Sequence, residues 1–440
     1  MSRVFNVTNL KKTWYYLRRN GMRAALMAAR ERTRAAYFAD YDYQEETQEE
    51  LDRQRKKAWD NPVTFSILVP AYETPKAFLG QLIDSLKAQT YPYWELVLAD
   101  GSTLDSVKET AEDYREERIH YIRLKHNGGI SENSNAALKE VKGDYVGLLD
   151  HDDVLTPDAL FRMAEALEKG RKENREYALL YSDEDKCDEE GSRFYDPHFK
   201  MDFNLDLFLT HNYICHFLVM KKELIQQLEF RRAFDGAQDY DLCLRAVSCL
   251  MKQNPRVEEV ICHVPRVLYH WRCHEASTAA NPQSKKYAYE AGKRALEDFL
   301  RQQGWKGSVK HLAHVGFYGI DYVGGIFAQR PDVAAVGGRL LKKGRIAGTA
   351  FDAKGEILYE GLPAGYSGYM HRAVLSQNVF GLDREYWEIN PKLRKKVETF
   401  WQDIASKESE DEFACQQRLC QTLLAHGYRL YLDPRWVIKK

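Results

Sequence analysis

Four runs of apolar residues, separated by segments with helical periodicity, constrain the fold of this chain more than any other feature. The runs cover residues 65 to 72, 95 to 100, 119 to 124 and 144 to 150. Apolar residues continue through each run, which is typical of strands that are buried on both faces. Such strands joined by helices form a mostly parallel sheet with helices on both sides. The sequence therefore predicts an α/β fold, in which ligands bind beyond the carboxyl ends of the strands.

Each predicted strand ends in residues suited to contact a ligand. These residues are Pro70, Ala71, Tyr72 and Glu73 after the first strand, Asp100 after the second, Asn127 and Gly128 after the third, and Asp150, His151, Asp152 and Asp153 after the fourth. Asp150 and Asp152 are spaced so that both can coordinate one divalent cation, which also binds a diphosphate. The alternative is a solvated acidic turn, with Asp153 or Thr156 as the N-cap of the next helix. Because four strand ends agree, the ligand site is favoured.

Composition excludes several classes of protein. The 64 Lys and Arg residues balance 65 Asp and Glu residues, so no overall positive charge favours a nucleic acid partner. Neither a P-loop nor a dinucleotide fingerprint follows the first strand. The eight cysteines include no CxxC pair, which favours a reduced cytosolic protein. We expect no signal peptide, and no apolar run approaches the length of a membrane span.

The first 62 residues form a predicted helical extension with a local excess of positive charge. Residues 8 to 40 are predicted to form one helix. Its basic stripe comprises Lys12, Arg19, Arg23, Arg30 and Arg34. Such a stripe suits an anionic membrane surface, and this interpretation places the protein peripherally on the inner face of the cytoplasmic membrane. A solvated helix that packs its weak apolar face on the next domain is the alternative.

Residues 63 to about 299 resemble a family 2 glycosyltransferase with the GT-A fold. The segments that carry the resemblance are SILVPAYE, SLKAQTYPYWELVLADGS, NGGISENSNAAL, GDYVGLLDHDD, GAQDYDLCLR and LYHWRCHEAST, in the order and spacing of the family. The resemblance implies a catalytic domain over residues 63–305, a UDP- or dTDP-sugar donor, inversion at the transferred sugar, and Mn²⁺ or Mg²⁺ as cofactor. One departure is Ser134, where many members have an arginine before the residue that matches Asn135.

The resemblance also implies roles for individual residues. Those expected to bind the nucleotide sugar are Pro70, Ala71, Tyr72, Glu73, Asp100, Asn127, Gly128, Asn135, Asp150, His151 and Arg272. The expected metal ligands are Asp150, Asp152 and His274, and the expected acceptor-side residues are Asp183, Asp185 and Asp241. Asp239 matches the base that removes the proton of the acceptor hydroxyl. The alternative is that Asp239 and Asp241 only stabilise the amino end of the following helix.

Residues 418 to 439 repeat a pattern of the catalytic region. Cys420 corresponds to Cys243 and Pro434 to Pro265, and in this register Gln416 replaces Asp239 and Arg418 replaces Asp241. We therefore interpret residues 306–440 as a partial, inactive GT-A-like domain. Its candidate ligands are an acceptor glycan, a partner protein or a second copy of the chain. An alternative role is to brace the catalytic domain. Chance similarity between two amphipathic helices is the alternative.

The predicted function is metal-dependent, inverting transfer of a sugar to a glycan or lipid-linked glycan acceptor in cell-surface polysaccharide synthesis. The alternative is a non-catalytic glycan-binding or scaffold protein derived from such an enzyme. A nucleotidyltransferase is disfavoured because PAYETP, after the first strand, is not a glycine-rich basic loop.

Overall fold

The computed structural model describes residues 41–274, 286–407 and 411–440, together with Leu17 and Met22. The predicted basic helix over residues 8 to 40 therefore lies outside the described residues, apart from these two positions. Contacts divide the chain into a larger unit, residues 40–203 and 212–299, and a C-terminal unit that contains residues 204–211 and 300–440. Within the described ranges, no helix is both long enough and apolar enough to cross a membrane.

Helices and strands are numbered along the described chain. The helices are α1 (Gln48–Arg55), α2 (Lys76–Lys87), α3 (Ser106–Asp113), α4 (Ile130–Leu138), α5 (Ala159–Lys172), α6 (Leu205–Phe208), α7 (Lys222–Leu228), α8 (Gln238–Gln253), α9 (Lys286–Gln303), α10 (Ile326–Gln329), α11 (Arg394–Lys407) and α12 (Glu412–Ala425). The strands of the larger unit are β1 (Phe65–Ala71), β2 (Trp94–Asp100), β3 (Ile119–Arg123), β4 (Tyr145–Leu148), β5 (Val154–Leu155), β6 (Leu179–Cys187), β7 (Phe194–His198), β8 (Leu218–Lys221) and β9 (Ile261–Arg272). The strands of the C-terminal unit are β10 (Gly307–His311), β11 (Tyr318–Tyr322), β12 (Val333–Lys342), β13 (Arg345–Gly348), β14 (Ala350–Phe351), β15 (Gln377–Val379), β16 (Gly381–Leu382), β17 (Trp387–Ile389) and β18 (Arg429–Lys439).

The larger unit is built on a sheet with strand order β3-β2-β1-β4-β8-β6-β9-β5, and β7 pairs with β6. Strands β1 to β4 are mutually parallel where they pair, as the apolar runs predict. Strand β8 lies antiparallel to both β4 and β6, and β5 lies antiparallel to β9. The α/β fold class is confirmed, but the half of the sheet beyond β4 is mixed rather than mostly parallel.

The continuous apolar pattern of the first strands reflects burial on both faces. In β1, Ile67 and Val69 on one face have no exposed surface, and Leu68 on the other face is only 1% exposed. Helix α2 covers the sheet with Leu79, Leu82, Ile83 and Leu86, which recur at helical spacing and are all fully buried. This packing leaves only the strand ends and their loops available to a ligand.

Residues 41 to 62 belong to the larger unit, in contrast to their predicted place in an N-terminal extension. The Trp59 ring lies edge-on to Tyr91 and Phe161, with centroid distances of 5.0 and 5.2 Å. Gln54 is 1% exposed and accepts a hydrogen bond of 2.7 Å from the Thr90 hydroxyl. Since these side chains complete the core of the sheet, this segment is part of the domain and not a linker to it.

The C-terminal unit contains a sheet with strand order β13-β12-β18-β15, to which β17 adds on β12. Strands β12 and β18 are parallel, and their register shifts where β18 passes through Pro434. The unit also includes residues 204–211, a second departure from the predicted boundaries. Asp206 of that segment pairs at 2.7 Å with Arg330, whose side chain has no exposed surface. A buried ion pair thus fixes the segment within this unit.

Candidate active site

A pocket of about 460 Å³ lies in the larger unit at the carboxyl ends of β1 and β4. Strand β4 pairs with β1 in parallel and with β8 in antiparallel fashion, so the pocket opens where the strand direction changes. In α/β sheets such reversals leave a crevice that ligands occupy. The polar lining includes Ser134, Asp150, His216, Gln238 and Asp239. The structure therefore brings the predicted metal ligand Asp150 and the predicted base Asp239 to one cavity.

Asp150 is held in an environment that opposes its negative charge. Burial raises the pKa of this carboxyl, and the nearby carboxylates of Asp152 and Asp239 raise it further, against the opposing effect of His216 and His151. Burial and the neighbouring carboxylates both disfavour the charged form of Asp150, and this combination is typical of a site that receives a cation. Nδ1 of His151 lies 3.0 Å from the Thr74 hydroxyl and so connects this loop to the end of β1.

Asp152 and His274 form an open pair beside Asp150. Nε2 of His274 lies 3.0 Å from Oδ2 of Asp152, and the two side chains are 18% and 20% exposed. No set of three His, Cys, Asp or Glu side chains within the described ranges is arranged to hold a metal. The carboxylate oxygens nevertheless fit a cation whose remaining ligands are phosphate oxygens and water, which is how Mg²⁺ usually binds. The imidazole of His274 is a donor better suited to a transition metal.

Asp153 anchors this loop to β9. It has no exposed surface, and it accepts hydrogen bonds from the Tyr269 hydroxyl and, at 2.7 Å, from the Arg272 backbone N–H. Burial raises its pKa well above the usual range, and the charges of Asp152 and Asp150 add to this rise. Helix α5 begins at Ala159, so neither Asp153 nor Thr156 is its N-cap. The acidic turn is thus a buried connection rather than a solvated cap.

Arg272 corrects one prediction. Its side chain has no exposed surface, so the guanidinium does not face a diphosphate. Instead Nε donates to the backbone carbonyl of Asp152 at 2.6 Å, and Nη1 donates to the carbonyl of Glu189 at 2.5 Å. A buried arginine that binds two carbonyls holds their loops in fixed geometry. Arg272 therefore positions Asp152 from behind the loop.

The loops after β1 and β2 are joined by Glu73. Its carboxylate accepts hydrogen bonds from the Thr103 N–H and hydroxyl at 2.9 and 2.7 Å, and its own N–H donates to the Ser102 hydroxyl at 2.7 Å. The two bonds from Thr103 lower the pKa of Glu73. Tyr72, next to it, is 47% exposed at the predicted nucleotide position, whereas Ala71 has no exposed surface.

Asp100 lies at the end of β2 but is covered. It accepts hydrogen bonds from the Ser102 N–H at 2.8 Å, from the Tyr121 hydroxyl at 2.7 Å and from Arg123 at 3.3 Å. No surface of Asp100 is exposed. Its predicted contact with a base therefore requires movement of Arg123, whose side chain is 35% exposed and forms the outer wall.

The loop after β3 is fixed by an asparagine that the sequence motifs did not single out. Asn133 accepts from the Gly128 N–H at 3.1 Å and donates to Oδ1 of Asn127 at 3.0 Å. A Cβ at Gly128 would lie 2.7 Å from Cβ of Glu132, so only glycine fits there. Asn135 corrects another prediction: its amide makes two hydrogen bonds, of 2.8 and 2.7 Å, with the backbone of Phe230 and is used within the fold.

Asp239 lies in the first turn of α8 and lines the pocket. Oδ2 accepts a hydrogen bond of 2.9 Å from the side-chain amide of Asn212. Asp241, by contrast, is 1% exposed. It forms one ion pair with Arg231 and another with Arg245, the second at 2.9 Å. Only Asp239 of this pair faces the cavity, and the predicted acceptor-side role of Asp241 is corrected.

The other two predicted acceptor-side carboxylates are also used inside the fold. Asp183 binds Nε2 of His263 at 2.9 Å, and Asp185 binds Nδ1 of His270 at 2.5 Å and the Tyr41 hydroxyl at 2.7 Å. They are 3% and 0% exposed. Since their oxygens are buried and occupied, these residues stabilise β6 rather than offer hydrogen bonds to an acceptor.

Residues 66–229 match the family model described as "Glycosyl transferase family 2". Residues 66–229 thus form a family 2 glycosyltransferase domain. One relative is an uncharacterised protein, y4gI, of Sinorhizobium fredii, which is 39% identical over 54% of this chain and 26% of that protein. Another is the O-antigen biosynthesis protein RfbC of Myxococcus xanthus, which is 33% identical over 57% of this chain and 19% of that protein. The chain thus spans about a quarter of the length of the first relative and about a fifth of the second. A crystal structure of S. aureus TarS 1-349 in complex with UDP aligns over 54% of this chain and 65% of that one, with 19% identity and a TM-score of 0.40.

The pocket is also lined by residues that sequence reasoning missed. His216 and Trp271 line the cavity with Asp239, although no motif marked them as ligands. The backbone of His216 is fixed from both sides: its N–H donates to Glu184 at 2.5 Å and its carbonyl accepts from Lys200. Glu184 is paired with His198 at 3.2 Å as well. A buried polar cluster of Glu184, His198 and Lys200 thus supports this wall of the domain.

Proposed function

We propose that the chain is an inverting glycosyltransferase that transfers a sugar from a UDP- or dTDP-sugar to a glycan or lipid-linked glycan acceptor. The observation that supports this most is the shared cavity of Asp150 and Asp239. One carboxylate is destabilised as if to receive a cation, and the other is open to an acceptor hydroxyl. The relative named for O-antigen biosynthesis supports a role in cell-surface polysaccharide synthesis.

In the proposed reaction the acceptor oxygen attacks the anomeric carbon while the bond from that carbon to the nucleoside diphosphate breaks. Asp239 takes the proton of the acceptor hydroxyl, and Asn212 holds the carboxylate in place for this transfer. Asp150, Asp152 and His274 would hold Mn²⁺ or Mg²⁺. When bound, such an ion neutralises charge on the departing diphosphate. Arg272 keeps the Asp152 loop in its geometry, and exposed Tyr72 borders the nucleotide.

The test is turnover of a panel of UDP- and dTDP-sugars with Mn²⁺ or Mg²⁺, with and without glycan acceptors. We expect Asp239→Asn to lower transfer by at least about 1,000-fold, because the base is lost while the carboxamide keeps the shape. Asp113→Asn is the matched control, since Asp113 is 69% exposed in a surface pair with Lys76. Equal activity of wild type and Asp239→Asn would contradict the proposed base.

A tight complex with a nucleotide sugar and no turnover with any acceptor would instead favour the non-catalytic alternative. That outcome separates donor binding from catalysis, because binding depends on the loops after β1 to β4 and transfer depends on Asp239. An Asp152→Asn variant that binds the donor as tightly as wild type, with and without metal, would contradict the proposed metal site.

A further inference from the structure

A second pocket, of about 180 Å³, lies within the C-terminal unit, at the face of α12 that meets β14 and β16. Gln416, Gln417, Cys420 and Gln421 line it from the helix, and Phe351 and Phe380 line it from the strands. All of these residues belong to the C-terminal unit, so the pocket is separate from the family 2 cavity. We propose that it binds one neutral pyranose ring of a glycan.

The apolar part of the lining is the first reason. Phe380 is 56% exposed, an unusually open position for a phenylalanine, whereas Phe351 beside the same cavity is 7% exposed. An exposed phenyl ring at the rim of a pocket offers a flat surface to the C–H face of a sugar. Phe351 is held edge-on by Phe413 at a centroid distance of 5.1 Å, so the floor beneath is fixed.

The polar part of the lining is the second reason. Gln416 is 8% exposed, and its Oε1 accepts the Arg384 N–H at 3.0 Å. Within the part of the chain that the structure describes, its amide Nε2 has no hydrogen-bond partner, and this atom is not fully buried. It can therefore donate a hydrogen bond to a ligand hydroxyl in the cavity. Gln417 and Gln421 add amides on the same side, and amides serve sugar hydroxyls as both donor and acceptor.

The charge of the lining disfavours ligands that carry a phosphate group. Among the residues that line this pocket none is basic, and the one carboxylate is Asp352. Oδ1 of Asp352 accepts the backbone N–H groups of Lys354 and Glu356, at 2.8 and 2.9 Å, so this negative charge is fixed at the rim. A phosphate group would be repelled there. With less than half the volume of the family 2 cavity, the pocket also fits a single ring better than a nucleotide sugar.

The sequence register agrees with this use. Gln416 occupies the place that Asp239 has in the catalytic helix, so the carboxylate needed for proton transfer is replaced by a neutral amide. Leu242 and Leu419, which correspond in that register, are both fully buried. Helices α8 and α12 are each followed by a long strand whose register shifts at a proline, which is Pro265 in β9 and Pro434 in β18. A pocket that keeps its place but loses its base is suited to hold a sugar without changing it.

The test uses the full chain and does not depend on the transfer reaction. Chemical shifts of the Leu424 methyl groups, which line the pocket, are followed while methyl glycosides of glucose, galactose, mannose, rhamnose and N-acetylglucosamine are added in turn. We expect at least one glycoside to shift these signals in a saturable way. Phe380→Ala and Gln421→Ala should each weaken that binding about tenfold, because both side chains are open to the cavity and their loss leaves the core intact.

The matched controls are Tyr93→Ala, which removes an exposed aromatic side chain from the larger unit, and Gln402→Ala, which removes an exposed glutamine from α11. Both should bind the glycoside as wild type does. If no glycoside of the panel shifts Leu424, or if Phe380→Ala and Gln421→Ala bind as tightly as wild type, the proposal is overturned. Because transfer is not measured, either result leaves the proposed function of the family 2 domain to its own test.

Discussion

At the scale of single residues, the proposed reaction depends on the hydrogen bond from Asn212 to Asp239. The side-chain amide of Asn212 donates at 2.9 Å to the carboxylate of Asp239, which lines the pocket. A base must stay within hydrogen-bond reach of the acceptor hydroxyl, and small displacements are costly. This amide is therefore a positioning group for the proposed base.

We expect Asn212→Ala to lower kcat by about 10-fold to 100-fold with little change in KM for the donor, because the carboxylate becomes free to rotate. Steady-state kinetics with the preferred donor and acceptor measure both constants. Asn212→Ser, which keeps a short donor, should recover part of the loss. If Asn212→Ala changed KM for the donor and left kcat intact, the amide would belong to the donor site and not to the base.

A second prediction at the residue scale concerns the contribution of Glu184 to the free energy of unfolding. Burial alone would raise the pKa of its carboxyl, but Lys200, His198 and His216 outweigh burial and lower it from 4.5 to about 2. A group with a depressed pKa contributes stability above its unfolded pKa and loses it as pH falls through the folded one. This contribution is thus present at neutral pH and disappears between about pH 4.5 and pH 2.

A shift of this size corresponds to about 3 kcal/mol of unfolding free energy. We expect Glu184→Gln to lower the free energy of unfolding at pH 7 and to reduce its slope between pH 5 and pH 3. Denaturant titrations over this pH range test both effects. Glu176→Gln is the control, because Glu176 is 76% exposed in its pair with Lys221. Parallel pH profiles of wild type and Glu184→Gln would contradict the assignment.

At the scale of elements, the loop between β3 and α4 depends on the absence of a side chain at Gly128. A Cβ there would meet Oε2 of Glu132 at 2.3 Å and Cβ of Glu132 at 2.7 Å. The carboxylate can swing away, but Cβ of Glu132 is fixed by the first turn of the helix. We expect Gly128→Ala to shift the loop, raise KM for the donor about tenfold and leave kcat within about threefold.

Gly80→Ala is the matched change for this prediction. A Cβ at Gly80, within α2, would meet only the Tyr114 hydroxyl at 3.4 Å, an ordinary contact. It should leave KM unchanged and raise helix stability slightly, since alanine favours helix over glycine. Equal KM values for Gly128→Ala and wild type would show that the donor does not contact this loop.

Sequence patterns predicted the elements well because they are local. Strands β1, β2 and β3 begin and end within a residue or two of the apolar runs, and the loops at their ends do meet at one edge. The roles of Arg272, Asn135 and Asp241 could not be read from the sequence, because each depends on a partner brought close by the fold. Phe230, which binds Asn135, is distant in the chain, and only the fold reveals that the amide is already used.

At the scale of the whole molecule, the sequence placed the start of the C-terminal unit close to where its continuous part begins, at residue 306 against Leu300. It did not predict that residues 204–211 belong to the same unit. Nothing in this segment differs in composition from its neighbours, and its membership rests on contacts such as the bond of 2.8 Å from Asn204 to the carbonyl of Asn378. Patterns of composition cannot detect a unit assembled from two separate stretches of chain.

This discontinuity governs how the chain can be recombined with its relatives. An exchange of everything after residue 299 would pair a foreign C-terminal unit with a native Asn204–His211 segment, whose Asp206 pairs with Arg330. Arg330 in turn also pairs with Asp332. Buried carboxylates that lose their arginine are strongly destabilising. A chimera built to exchange the C-terminal unit between relatives must therefore carry two inserts, one of them only eight residues long. In evolution, too, the two stretches are expected to have been inherited together.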